Sequence, residues 1–264
     1  MRQRRQTVAD ILALKGKRQL SMLRVTSLEE AAAAEAAGID VLSVPPALLT
    51  PAFRDAAPSC FTIPGLEYGD FVTAEEYLRA AFAALRAGGD AVYCAAGLGI
   101  IRRLREEGIP VCGHVGLIPS KATWTGGFRA VGKTAETALA VWHQTKALEE
   151  AGAFAAEIEV VPDTVASAIS ARTSMFMISM GGGPGCDCHY LFAEDVLGSH
   201  DGHYPRHAKR YRDFAAENRR LQVERIAAFS EFRRDVDMGV YPGQEHIVSI
   251  DRSEFEAFFA QLQA

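Results

Sequence analysis

Residues 73–95 read TAEEYLRAAFAALRAGGDAVYCA, and the order of signals in this stretch decides the fold. Thr73 followed three residues later by Glu76 has the form of a capping box, in which hydroxyl and carboxylate each satisfy a backbone N–H at a helix start. Alanine, leucine and arginine, all strong helix formers, carry the segment onward. The pair Gly88–Gly89 stops it, because glycine enters the left-handed conformation of a helix end at little cost. A short β-rich run, Asp90–Ala95, follows directly. Helix, glycine stop and apolar strand form the repeating unit of a parallel sheet with helices laid against it.

The same grammar extends in both directions. Ser27 with Glu30 opens LEEAAAAEAA, Gly38 closes it, and the strand IDVLSV comes next. Downstream, the helix GIIRRLREE leads to PVCG, TAETALAVWHQTKALEEAG to AFAAEIEVV, and PDTVASAISART to SMFMISM, with a last strand near CHYLFAED. Adding RQLSML and SCFTIP gives about eight strands, the number that closes a parallel (β/α)8 TIM barrel. An open doubly wound sheet shares the alternation, but no G-x-G-x-x-G follows the first strand. From Pro205 to about Met238 the chain is highly charged with helical spacing. The expected organisation is therefore a single barrel domain over 1–264, with a helical extension from about 205 to 264 that covers the barrel or a neighbouring subunit.

With 264 residues, 48% of them hydrophobic, the chain can bury one large core. Its 28 basic and 33 acidic residues are spread along the sequence apart from MRQRR and RHAKRYR, so no phosphate-binding field forms and nucleic acid is not expected as a partner. The basic N-terminal tip is followed by no apolar h-region, and no stretch approaches the roughly 18 apolar residues of a membrane span. The expectation is a cytoplasmic protein without a membrane partner. Five cysteines, an odd number, three of them in apolar, strand-like segments, argue against a disulfide framework. GCDCH, residues 185–189, offers Cys186, Cys188 and His189 as soft ligands, fewer than a closed zinc site needs. MGGGPG lacks the lysine and hydroxyl residue of a phosphate loop, and its glycines are expected to let backbone approach a ligand at the strand end.

In such a barrel the reacting groups come from the C-terminal ends of the strands. In order these ends offer Arg24, Pro45 and Pro46, Gly65 with Glu67, Tyr93 and Ala95, His114, Glu157 and Glu159, Ser179, then Glu194 and Asp195. A glutamate desolvated by barrel walls gains a raised pKa and can remove a proton next to a carbonyl. Glu159 fits that role, and fits equally a glutamate held by a neighbouring arginine. His114, on which the run VCG stops, reads either as a group facing substrate or as a core histidine bonded to backbone.

The blocks GIPVCGHVGLIPS, GGFRAVGK, ALEEAGAFAAEIEVVP, MGGGPGCD, GHYPRHAKRY and GVYPGQEH, in that order from about residue 108 to 246, resemble the ketopantoate hydroxymethyltransferase family. The first hundred residues follow the family through strand and helix positions rather than motifs. The resemblance implies a barrel of the phosphoenolpyruvate-mutase type, a homo-oligomer that is often a decamer, and a place in pantothenate biosynthesis. It also implies an aldol reaction. A glutamate removes the C3 proton of 3-methyl-2-oxobutanoate, Mg2+ stabilises the enolate, and a one-carbon unit from 5,10-methylenetetrahydrofolate is captured. Glu159 matches the family's base and His114 its substrate-side histidine.

Three departures stand out. The family's aspartate and serine after the second strand are Pro46 and Ala47, and the aspartate ending the third is Gly65, with Glu67 and Asp70 nearby in the loop. The lysine and glutamate of the fourth strand are Tyr93 and Ala95. Mg2+ needs near-octahedral oxygen ligands, usually including carboxylates, so no residue is assigned to metal and dependence of the usual kind is not expected. In its place Tyr93 is positioned to hydrogen-bond an oxyanion, Arg24 or Arg129 to bind a carboxylate, and Ser179 to face substrate. Three readings follow: a hydroxymethyltransferase acting on a 2-oxo acid, a barrel redirected to another carbon–carbon bond reaction such as retro-aldol cleavage or decarboxylation, and a non-catalytic paralogue.

Overall fold

The computed structural model describes residues 4–262, which separate into one compact unit ending at Arg212 and another beginning at Asp213. In the first unit, β1 (Leu20–Arg24), β2 (Val41–Val44), β3 (Phe61–Leu66), β4 (Val92–Cys94), β5 (Val111–Gly116), β6 (Ala155–Glu159), β7 (Phe176–Met180) and β8 (Cys188–Phe192) form a closed parallel barrel, with β8 pairing back on β1. Helix α1 (Val8–Ala13) precedes the barrel. Helices α2 (Leu28–Ala37), α3 (Pro51–Ala56), α4 (Ala74–Arg86), α5 (Leu98–Glu106), α6 (Ala135–Glu150) and α7 (Asp163–Ser170) connect successive strands, and α8 (Ala193–Leu197) follows β8.

The capping signals work as their chemistry requires. Thr73 Oγ1 accepts from the Glu76 N–H, and the Glu76 carboxylate accepts from the Thr73 N–H at 2.8 Å. Ser27 accepts from the Glu30 N–H at 3.1 Å, while the Glu30 carboxylate reaches one residue further back, to the Thr26 N–H. Side chains alternate across each strand with period two. Leu20, Met22, Phe61, Ile63, Phe176 and Ile178 fill the barrel, and Ile11 of α1 closes its N-terminal end. Leu42, Val44, Val92, Val111 and Ile158 face the helices.

Four features differ from the expectation. Strand β5 does not stop before His114 but runs to Gly116, because His114 and Gly116 continue the ladder opposite Glu157 and Glu159. CHYLFAED is strand only to Phe192, and Ala193–Leu197 is helical. Like α1 and α3, that helix is too short for its period to be legible. The stretch after β7 carries no helix: its glycines run against α7, where a Cβ at Gly183 would lie 2.3 Å from Asp163 Cβ and one at Gly185 1.9 Å from Ser167 Oγ. Gly183 and Gly185, expected to admit a ligand, instead pack closely on α7, while Gly181 lies against His207 at the cavity. Finally, the helical stretch expected from Pro205 begins at Phe214, and residues 205–212 belong to the first unit.

The second unit contains α9 (Phe214–Asp237), capped by the Asp213 carboxylate accepting from the Ala216 N–H at 3.0 Å, and α10 (Arg252–Leu262). It carries many exposed apolar side chains, among them Phe229 at 71% and Val223 at 65%. Among the described residues no helix is long and apolar enough to cross a membrane.

Candidate active site

The C-terminal mouth of the barrel opens into a cavity of about 740 Å³. Its floor is set by the register of β5 on β6, which places His114 opposite Glu157 and Gly116 opposite Glu159. The alternation that sends Cys112 and Ala155 into the barrel sends His114, Glu157 and Glu159 inward above them. All three are buried. His114 Nδ1 lies 3.4 Å from Glu157 Oε2, and Nε2 lies 3.4 Å from Glu159 Oε2. These are ion-pair contacts, longer than a good N–H···O bond. The short bonds go elsewhere: Nε2 is 2.7 Å from the Leu117 carbonyl, and Nδ1 is 2.8 Å from the Tyr93 hydroxyl. A carbonyl only accepts, so Nε2 carries a proton.

Burial works against charge on His114, but hydrogen bonding and attraction from Glu157 and Glu159 outweigh it and raise its pKa from 6.5 to about 9. The ring is an imidazolium at neutral pH. Burial pushes the Glu157 carboxyl up, with His114 pulling the other way, and burial with the charge of Glu157 holds the Tyr93 phenol far above its ordinary value. Tyr93 therefore keeps its proton. Directly after Glu159, Val160 has φ 48° and is the one non-glycine residue with positive φ among the described residues. A β-branched residue in the left-handed region is strained, and such strain collects at functional sites. The surrounding ladder holds it: Val160 N–H donates to the Met180 carbonyl at 2.8 Å, and its carbonyl accepts from Val131 at 3.1 Å.

The remaining predicted residues divide. Arg24, at the end of β1, lines the cavity, with its guanidinium 3.8 Å from Glu67 Oε1 and 5.7 Å from the Phe192 ring centre. Arg129 also lines it, its Nε donating to the Thr125 carbonyl. Ser179 sits elsewhere. It points to the outer face of β7, where its hydroxyl accepts from the Gly182 N–H at 3.0 Å and donates to the Gly183 carbonyl at 3.2 Å. It shapes the turn rather than the cavity wall.

The sequence reading did not assign roles to the loop before Arg212. Asp195 is buried at the cavity edge, and His200 Nε2 lies 3.1 Å from its Oδ1. His200 Nδ1 accepts from the Gly202 N–H at 3.0 Å, so the proton sits on Nε2 and is donated to Asp195. His203, Arg206 and His207 line the same side. The density of histidine and arginine in HDGHYPRHAKR was the available signal.

The donors for Mg2+ do not fit. Gly65 is the penultimate residue of β3, Ala95 follows β4, and Pro46 begins a short 3-10 turn. The carboxylates that do reach the cavity each face a partner: Glu157 and Glu159 face His114, Asp195 faces His200, and Glu67 faces Arg24. Among the described residues no group of three or more His, Cys, Asp or Glu could hold a metal ion. The GCDCH ligands diverge, with Cys188 inside the barrel, Cys186 in the strand–helix layer and His189 exposed. Asp187 between them ties down the barrel's other end, accepting from Lys15 at 2.7 Å and from the Met177 N–H at 2.8 Å.

A family model for ketopantoate hydroxymethyltransferase matches residues 46–244. The chain belongs to this family. The 3-methyl-2-oxobutanoate hydroxymethyltransferase of Thermus thermophilus is 36% identical over 266 residues, 92% of this chain and 99% of that protein. The protein of the same name from Pyrococcus abyssi is 32% identical, covering 95% of each chain. Among solved structures, a 2,3-dimethylmalate lyase of the PEP mutase/isocitrate lyase superfamily aligns with a TM-score of 0.52 at 14% identity, covering 97% of this chain and 98% of that one. The phosphoenolpyruvate phosphomutase of Streptomyces platensis aligns with a TM-score of 0.52 at 13% identity, over 98% and 97%. These structures share the barrel. The chain is thus a ketopantoate hydroxymethyltransferase-like enzyme whose early strands lack the acids expected of its family.

Proposed function

We propose that this family member adds a hydroxymethyl unit to a 2-oxo acid, 3-methyl-2-oxobutanoate, in pantothenate biosynthesis. Glu159 is the base: its carboxylate, buried at the end of β6 and lining the cavity beside His114, is the observation that carries the reading. It removes the C3 proton; water hydrolyses the methylene bridge of the second substrate, 5,10-methylenetetrahydrofolate, to formaldehyde and tetrahydrofolate; the enolate carbon attacks the formaldehyde carbon, whose oxygen takes up the proton, and ketopantoate and tetrahydrofolate leave. Arg24 and Arg129, both on the cavity wall, bind the keto-acid carboxylate, since guanidinium matches carboxylate geometry in a bidentate pair. Catalysis belongs to the barrel. The helical extension, whose apolar side chains stand exposed, provides contacts between copies in a homo-oligomer such as a decamer, and the enzyme acts in the cytoplasm.

The test is an NMR assay of the protein with 3-methyl-2-oxobutanoate in D2O, with and without methylenetetrahydrofolate, following deuterium at C3 and ketopantoate. Deuteration that requires Glu159, together with ketopantoate formation, supports the reading. Absence of exchange under every condition removes this substrate. Sedimentation of the purified protein tests the oligomer, and a monomer at micromolar concentration rules it out.

A further inference from the structure

Enolisation turns a carbonyl oxygen into an oxyanion, and in a buried site that oxygen needs a donor already in place. The ends of β2, β3 and β4 supply no carboxylates to seat a divalent cation there, and each acid that reaches the cavity faces a basic side chain. One hydroxyl is differently placed. Tyr93 lines the cavity half-buried, its Oη 2.8 Å from His114 Nδ1 and its ring edge-on to the imidazole at 72°.

The proton accounting follows from the neighbours. Nε2 of His114 is committed to the Leu117 carbonyl. With Glu157 and Glu159 of β6 on its two nitrogens, the ring is charged and Nδ1 also carries a proton, which it donates to the Tyr93 oxygen. The phenol proton is then free for another acceptor, and the cation beside it polarises the O–H bond. A neutral imidazole would instead accept that proton and remove the donor from the cavity.

We infer that Tyr93 is a catalytic residue whose hydroxyl, oriented by His114, bonds the developing enolate oxygen of the 2-oxo acid, so that this member of the family enolises its substrate without a divalent cation. The inference rests on the reading that a 2-oxo acid is enolised here. In the step, the C3–H bond breaks with its proton going to Glu159, its electron pair forms the C2–C3 double bond, and the C2–O electrons move onto the oxygen that Tyr93 bonds. No oxidant or reductant takes part.

The experiment compares the full-length protein and Tyr93→Phe, both stripped with EDTA, for C3 deuterium exchange, for affinity for 3-methyl-2-oxobutanoate by calorimetry, and for Mn2+ binding by electron paramagnetic resonance. The expected result is exchange in the stripped wild type that added Mg2+ leaves unchanged, and no bound Mn2+. In Tyr93→Phe, exchange falls about 100-fold, as for loss of one oxyanion donor. Its keto-acid affinity stays within about twofold, because the bond strengthens only as charge develops. Exchange that appears only with added Mg2+, or a Tyr93→Phe protein as fast as wild type, overturns the inference while leaving enolisation intact. Keto-acid binding without exchange in any protein, with or without metal, removes the enolisation reading itself and this inference with it.

Discussion

Strands β1 to β4 bring Arg24, Ser43, Gly65 and Tyr93 to the barrel mouth, a set without a carboxylate, whereas β5 and β6 alone bring His114, Glu157 and Glu159. The late half is a self-contained acid–base cluster: two buried carboxylates share one imidazolium, and the charge of Arg24 on β1 also acts on Glu157. The early half offers hydrogen bonds and a guanidinium instead. The motif blocks divide the same way, dense after residue 108 and sparse before it. Proton removal and charge stabilisation are separable tasks, and under the proposed function the late half serves the first with family-like residues while the early half serves the second with a different donor set.

The largest effect is expected where the late half does its chemistry. Glu159→Gln keeps the shape of the side chain but removes its basicity, and C3 exchange should drop about 1000-fold, within the range of general-base catalysis. That is a barrier increase of about 4 kcal/mol. Glu157→Gln, one layer deeper, should cost less. If Glu157→Gln is the variant that abolishes exchange, the assignment within the pair is reversed.

The cluster should next appear as pH-dependent stability. His114 binds its proton more tightly in the folded chain, with the pKa raised from 6.5 to about 9, so its contribution is fully present below pH 6.5 and is lost as pH rises through about 9. The loss is on the order of 3 kcal/mol, from 1.36 kcal/mol per unit. Glu157, raised by burial, moves the same way from a lower starting point, weakening the fold as pH rises past the ordinary carboxylate range. Urea denaturation across this window should give a falling curve that His114→Gln flattens above pH 6.5. A wild-type curve already flat there means that the ring is neutral and the cluster is held by hydrogen bonds alone.

The barrel was legible because capping boxes, glycine stops and apolar runs are local signals, and Thr73, Glu76 and Gly38 behave as their chemistry dictates. The cavity lining was legible where a strand end coincides with a charged residue, as at Arg24 and Glu159. Ser179 shows the limit. Position near a strand end does not say which face a residue occupies, and period two sends Ser179 to α7's side while Met180 turns to the cavity. Likewise, nothing local distinguishes glycines that admit a ligand from those that admit a helix, and the approach of α7 to Gly183 and Gly185 is a tertiary fact. The Asp195–His200 contact forms in a loop with no period at all.

Restoring an acid to the early half should break the asymmetry by a moderate amount. A Cβ at Gly65 would lie 3.4 Å from Glu67 Oε1 and 3.9 Å from Tyr93 Cδ1, ordinary contact distances, so Gly65→Asp fits. Two neighbouring carboxylates repel unless a cation joins them. The variant should gain stability with Mg2+, by about 2 kcal/mol at concentrations well above its dissociation constant, while wild type does not respond. An equal Mg2+ response in wild type means that the early half already holds a cation and that the contrast between the halves is false.

The smallest effect concerns the residue next to the base. Val160 at φ 48° costs about 1–3 kcal/mol of backbone strain, whereas glycine adopts that conformation freely but loses more entropy on folding, about 0.5–1 kcal/mol. Val160→Gly also removes a half-buried side chain from the cavity wall, so the terms nearly cancel and stability should change by less than about 1 kcal/mol. Exchange should still slow several-fold, with keto-acid affinity unchanged, because the strained link is what fixes Glu159 at the mouth, and a base must meet its proton within hydrogen-bond reach. Val160→Ala separates the causes: it keeps the left-handed strain while trimming the side chain, and should retain the wild-type rate. If alanine and glycine slow exchange equally, the lost cavity contact is responsible and the strain is incidental. If only glycine slows it, the late half positions its base by holding the backbone out of its preferred conformation, a device with no counterpart among the strand ends of the early half.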